Sequence, residues 1–243
     1  MPDKMRVSVI IPTFNEADYL SEAIRSALHQ THAPLEIIVV DDGSTDQTPS
    51  VAASFGDAIR YDRRPHCGLS ATLNRGVQLA QGDLFAFLDH DDVWVPDKLQ
   101  KQTAVLQANP EIDMVFGYCR FFASPDLAAD AARRLVIPDK PQPGALKSAM
   151  LIRRISFFKV GLFDTNLRVG DFIDWYSRAA DAGLKAYFLP EVLFSRRVHG
   201  RNMTLVDRSS QGDYVRIVKA ALDRRRAGDR PAPQSGSNHE PSR

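Results

Sequence analysis

Several things are scarce in this sequence, and each scarcity excludes something. Cysteine occurs twice in 243 residues, at Cys67 and Cys119. Two thiols cannot build a zinc ribbon or a disulfide framework, and two reduced thiols suit a cytoplasmic protein. No run approaches the roughly 20 apolar residues that span a bilayer. The first apolar stretch, residues 7–11, is strand-sized, and no charged segment leads into a long apolar one as in a secretion signal. The expected location is therefore cytoplasmic, at most peripheral at a membrane through Arg224-Arg225-Arg226. Charge of one sign is also lacking: Lys plus Arg is 31, Asp plus Glu is 30, and the net charge is +1. Such a chain has no global field for gripping nucleic acid, so no nucleic-acid partner is expected. Finally, neither G-x-x-x-x-G-K-[ST] nor G-x-G-x-x-G follows the first apolar run. A nucleotide bound here would not rest on a glycine loop.

What is present is an ordinary globular composition, 44% hydrophobic and 25% charged. Residues 6–14, RVSVIIPTF, read as a buried strand. Leu20, Ile24 and Leu28 recur every four residues and predict a helix over 16–30. Residues 35–40 form a second apolar strand, and a helix over about 46–54 can be capped by Ser44 or Thr45. A helix over 69–80, a strand over 84–88 and a helix over 97–108 follow, with Pro96 in the first turn. Three strand-then-helix units predict a parallel sheet covered on both faces. The second half is less regular: a strand over 113–122, a proline-rich insert over 123–144, and apolar order over 151–161. A helix over 174–183, strands over 185–189 and 191–198, and a helix over 213–226 complete it. In that last helix Val215, Val218 and Leu222 are expected inward, and residues 227–243 are expected to be a disordered tail.

Ligands of open α/β sheets bind beyond the carboxyl ends of the strands. Three polar clusters lie there: Pro12-Thr13-Phe14-Asn15-Glu16, Asp41-Asp42-Gly43-Ser44, and Asp89-His90-Asp91-Asp92. Asn15 and Ser44 can equally make local turns. Three acids within four positions repel one another, and a hard divalent cation relieves the repulsion. Asp89 and Asp91, two apart on an extended chain, would aim the same way. Metal plus diphosphate and a solvated acidic loop both remain open on these residues alone.

VSVIIPTFNEADYL, EIIVVDDGSTDQT, GLSATLNRGVQLAQGDLFAFLDHDDVWVPDKL and FKVGLFD, in that order, resemble the family 2 glycosyltransferases. The resemblance covers most of residues 7–202. It implies the GT-A fold, an α/β architecture with a Rossmann-like, mostly parallel central sheet flanked by helices and a smaller acceptor-side subregion. Residues 1–115 would be the nucleotide-sugar half and 116–226 the acceptor half of one domain. It implies an inverting transfer from a nucleoside diphosphate sugar, a UDP-sugar first, to a hydroxyl of an acceptor the sequence does not name. Pro12, Thr13 and Asp42, with Asp41 nearby, would hold base and ribose; Asn15, Ser44, Asn74 and His90 join the donor site. Asp91 would hold Mg²⁺ or Mn²⁺, with Asp89 toward the ribose or the metal and its water, in the donor site as well, and His199 as a further ligand. Arg196 or Arg197 would meet diphosphate or acceptor.

The catalytic base departs from the family pattern. Counting back from Arg178, Asp171 takes the place of the usual Glu and Phe172 that of the usual Asp. Asp171 is the first choice for a general base and Asp174 the second. Each also suits a helix N-terminus electrostatically. Phe172 leaves a rival reading, a non-catalytic module of the same fold that binds nucleotide sugar or a partner. A nucleotidyltransferase would carry a glycine-rich loop that PTFNEAD lacks.

Overall fold

β1 (Val7–Thr13) is VSVIIPT, and all seven residues are buried. A strand apolar on both faces must lie inside a sheet covered on both sides. It does: β2 (Glu36–Asp41) and β4 (Leu84–Phe87) flank it in parallel, and β3 (Arg60–Arg63) extends the sheet beyond β2. The computed structural model describes residues 5–127, 137–202 and 211–228. Among them the sheet has nine strands, ordered β3-β2-β1-β4-β8-β6-β9-β5, with β7 (Gln142–Gly144) on β6. β8 (Leu151–Arg153) joins antiparallel to β4 and to β6 (Met114–Ala123). β9 (Ala186–Val198) runs parallel to β6, and β5 (Val93–Trp94) closes the order beside β9.

Helices α1 (Ala17–Leu28), α2 (Thr48–Ala53), α3 (Leu69–Leu79) and α4 (Lys98–Ala108) follow β1, β2, β3 and β5 in the chain. α1 buries Leu20 and Ile24 of the expected stripe, with Ala23 and Ala27 beside them, and leaves Leu28 half-buried. α3 comes unusually close to β1 at Gly76, where a Cβ would stand 2.4 Å from Ile10 Cγ2. Three helices complete the described fold: α5 (Arg154–Val160), α6 (Asp171–Asp181) and α7 (Gln211–Gly228).

Several expectations need correction. Two short edge strands lie outside the expected elements: β3 carries no apolar run, and β5 is only two residues long. The N-cap of α2 is Gln47, and neither Ser44 nor Thr45 caps it. Pro96 precedes the N-cap of α4, Asp97, rather than entering its first turn. α6 begins three residues earlier than its apolar spacing suggests. The two strands around Pro190 are one strand, whose register with β6 jumps from Phe116↔Phe188 to Tyr118↔Val192. A bulge absorbs the proline that sequence reading takes for a break. On α7 the inward residue is Ile217, while Val215, Val218 and Leu222 are exposed. The expected tail lies, from residue 229, outside the described residues. No described helix is long and apolar enough to cross a membrane.

Candidate active site

The loops beyond β1 and β2 are stitched to each other. Asn15 takes φ of +52°, a conformation asparagine tolerates better than most residues. Its side-chain oxygen accepts from Thr45 N at 2.8 Å, and its own N–H donates to Ser44 Oγ at 2.9 Å. Ser44 is fully buried, so Asn15 and Ser44 brace the two loops against each other. Asp41 is fully buried as well; it accepts from Ser44 N at 2.8 Å and from the Tyr61 hydroxyl. Burial first, then that hydrogen bond, pushes the Tyr61 phenol up. Asp41 therefore supports the floor and presents no oxygen to solvent, contrary to its place in the donor-site expectation. Asp42 accepts from Cys67 N at 2.7 Å and Gly68 N at 2.9 Å, with His66 Nδ1 at 2.9 Å. It fixes the loop that leads into α3. Asn74 is also corrected. Its amide exchanges two 2.9 Å bonds with the backbone of Phe163, which pins α3 to the GLFD segment.

The acidic run is a turn, not an extended end. Asp92 N donates to Asp89 O at 3.1 Å, and the two flanking carboxylates meet different partners. Asp91 Oδ2 lies 3.0 Å from His199 Nε2 and accepts from Asn202 Nδ2 at 3.1 Å. Burial would raise Asp91, but the His199 hydrogen bond and the charges of His90 and His199 outweigh it and bring it down to about 2. Asp92 goes the other way: burial, then the charges of Asp91 and Asp89, hold it well above the usual range. His90 Nδ1 lies 3.1 Å from Pro12 O, which joins the acidic turn to the end of β1. His199 braces Asp91 from behind, with Asn202 Oδ1 fixing its backbone N–H at 2.7 Å.

Asp89 faces a residue that motif reading misses. Lys147 Nζ lies 3.2 Å from Asp89 Oδ1 and 3.5 Å from Asp171 Oδ2. Burial would lower the Lys147 ammonium, but the charges of Asp171 and Asp89 reverse that and raise it. The short turn Lys147–Ala149 that carries it is held hard. Ser148 Oγ accepts from Asp89 N at 3.2 Å, Ser148 O from Trp94 Nε1 at 2.9 Å, and Ala149 O from Gln102 Nε2 at 2.7 Å. No sequence motif marks Lys147; only the fold brings it between two distant carboxylates.

The two base candidates part company. Asp171 opens α6 beside Lys147, with its side chain 12% exposed. Asp174, one turn on, bonds Arg178 Nε at 2.8 Å and stands 4.0 Å from Arg224. It belongs to the packing of α6 and α7, not to the cluster around Asp89. Phe172 is buried against Trp175, Tyr176 and Phe116. Arg197 is turned inward too. It reaches Asp91 O at 3.1 Å and Glu22, and its guanidinium lies over Tyr19 and Phe122. It props the acidic turn and does not open to a diphosphate. The Arg196 charge acts on Asp92 from the neighbouring position.

Buried polar atoms seldom lack a partner. Here Thr13 Oγ1, Ser70 Oγ, Asp171 Oδ2 and His199 Nδ1 are buried without a hydrogen bond. Thr13 ends β1, Ser70 begins α3, Asp171 begins α6 and His199 follows β9. All four lie at or next to the end of a strand or helix. The donor set also suits a hard cation. Asp91 is an ionised oxygen donor, and no three His, Cys, Asp or Glu side chains among the described residues form a metal cage. Mg²⁺ characteristically binds through one or two carboxylates and completes its shell with water and substrate phosphates.

The model of the glycosyl transferase family 2 matches residues 8–161. The chain belongs to that family. An uncharacterized glycosyltransferase of Rickettsia typhi is 36% identical over 211 residues, spanning 82% of this chain and 65% of the relative. This family 2 chain thus spans less than two thirds of that relative's length. Among solved structures, S. aureus TarS 1-349 in complex with UDP-GlcNAc is similar at a TM-score of 0.73 and 18% identity, over 90% of this chain and 66% of that one. The mannosyltransferase PcManGT of Pyrobaculum calidifontis, in complex with GDP-Man and Mn²⁺, is similar at 0.66 and 23%, over 96% and 67%. These likenesses establish the GT-A fold.

Proposed function

We propose that this chain is an inverting glycosyltransferase that moves a sugar from a nucleoside diphosphate donor, a UDP-sugar first, to an acceptor hydroxyl. The observation that carries the reading is the meeting of Asp171, Lys147 and Asp89 beside the Asp91–His199 pair. It joins the acidic turn to a second carboxylate contributed by a distant helix. The nucleotide complexes of TarS and PcManGT support the donor class. In this reading Thr13, with the Asp42-fixed loop, lines the base and ribose, and residues from 116 onward face the acceptor. Two free thiols agree with a cytoplasmic setting.

Asp171 is the general base. Its carboxylate accepts the acceptor's proton while the acceptor oxygen attacks C1 of the sugar. The C1–O bond to the acceptor forms as the C1–O bond to the diphosphate breaks on the opposite face, which inverts the anomeric centre. Lys147, 3.5 Å from Asp171 Oδ2, holds the carboxylate in place. Asp91, with Asp89 behind it, would hold Mg²⁺ or Mn²⁺, which supplies charge neutralisation to a leaving diphosphate.

The test is turnover of a panel of UDP-sugars with Mn²⁺ by purified protein, with release of UDP as the readout and water or simple hydroxyls as acceptors. Wild type should release UDP, and Asp171→Asn should lose 100-fold or more of that rate. Phe172 in the core favours the second reading, a module that binds donor without turnover. UDP binding with no UDP release from any donor would decide for it.

A further inference from the structure

We propose that α7 is a docking element that lays its outer face on an anionic membrane surface. Among the described residues the helix is anchored on one side only. Asp213 Oδ2 accepts from Arg168 N at 2.9 Å, and Arg224 Nε donates to Asp181 at 2.8 Å. Ile217 is buried against Gly170, where a Cβ would lie 2.7 Å from Ile217 Cδ1. These contacts fix which face looks outward.

That outer face is apolar where a solvated helix would be polar. Val215 is 70% exposed, Val218 59% and Leu222 47%. Spacings of three and four put them in one stripe along two turns. Lys219 stands four residues after Val215 and Arg226 four after Leu222, so both charges border the stripe, and both are exposed. Arg216 and Arg225 are largely exposed beside it, with Asp223 the one exposed acid between residues 212 and 226. An apolar stripe edged by cations is what a helix lying in a headgroup layer requires: the stripe enters the acyl boundary and the cations meet lipid phosphates. Charge selects this occupant over a second copy of the chain. A two-fold contact through α7 would bring the cations of both copies, Lys219 and Arg226 among them, into one interface with few acids to offset them.

The anchoring has a geometric consequence. Gly170, on which Ile217 rests, immediately precedes Asp171. A membrane under α7 therefore lies close to the start of α6.

The experiment is sedimentation of the full chain with large unilamellar vesicles, of phosphatidylglycerol plus phosphatidylcholine or of phosphatidylcholine alone. Binding to the anionic vesicles should exceed binding to the neutral ones tenfold or more and weaken in high salt. The triple change Val215→Ser, Val218→Ser, Leu222→Ser keeps net charge and removes the stripe; it should lose binding with no fall in melting temperature. Lys219→Gln with Arg226→Gln should weaken anionic binding and leave the apolar stripe intact. No binding by wild type overturns the proposal, as does full binding by the triple variant. A wild-type dimer that the triple variant dissolves, without vesicle binding, assigns the face to self-association instead.

Discussion

Replacing Lys147 by Met removes one charge and little volume, so its effect isolates electrostatics. The Lys147 side chain is 7% exposed and stands within 3.5 Å of both Asp171 and Asp89. At an effective dielectric of about 20, a charge pair at such a distance is worth about 5 kcal/mol before desolvation. The Asp89 side chain is 36% exposed, so solvent screens its share heavily. Asp171, at 12%, keeps most of its share. The net loss of stability should be about 2–3 kcal/mol, somewhat below that for stranding a fully buried partner. In a domain of this size that lowers Tm by roughly 5–10 °C. Denaturant and thermal melts measure it without any substrate. Lys147→Arg, which keeps the charge, should recover at least half of the loss. For turnover, UDP release should fall about 10- to 100-fold in Lys147→Met, within the range that general-base effects span. In an Asp171→Asn background the same change should cost little more, because the two residues act as one unit. A Lys147→Met protein that melts and turns over like wild type would refute the reasoning outright.

Other expectations are as direct. Asp91→Ala should abolish Mn²⁺-dependent binding of UDP in calorimetry, and chelation should do the same to wild type; equal affinity with and without Mn²⁺ would count against the acidic turn. Thr13→Val removes a buried hydroxyl that has no partner, so stability should change by less than about 1 kcal/mol while UDP affinity drops several-fold. Gly170→Ala meets both φ of +77° and the Ile217 side chain, and should destabilise by about 2 kcal/mol in denaturant melts. Asp174→Asn breaks the Arg178 pair; it should lower Tm and leave UDP release within about threefold of wild type.

The N-terminal half was legible because its signals are local. VSVIIPT, EIIVVD and LFAF are apolar on both faces, so burial follows from composition. The polar residues that follow each of them fall at strand ends by chain order alone. Tertiary pairing overrode that local reading elsewhere. Asp41 and Asn74 carry the residue types of a ligand site but are consumed by Tyr61 and Phe163, which lie 20 and 89 residues away. Pro190 reads as a strand break because nothing local announces the bulge against β6 that accommodates it. On α7 the period of Val215, Val218 and Leu222 is a true helical period. A period gives a face, though, and not the direction in which that face is turned.

By itself, then, the sequence determined the α/β order, the strand-end clusters and the departure at Phe172 from the usual acidic pair. The tertiary structure alone decided which acid faces the cluster. Asp171 and Asp174 differ by three residues on one helix, and sequence treats them nearly alike. The packing of α6 on α7 gives Asp174 to Arg178 and Arg224, and the turn at Lys147–Ala149 brings a buried ammonium to Asp171. Charge pairing acts through space, and Lys147 lies 58 residues from one of its partners and 24 from the other in the chain.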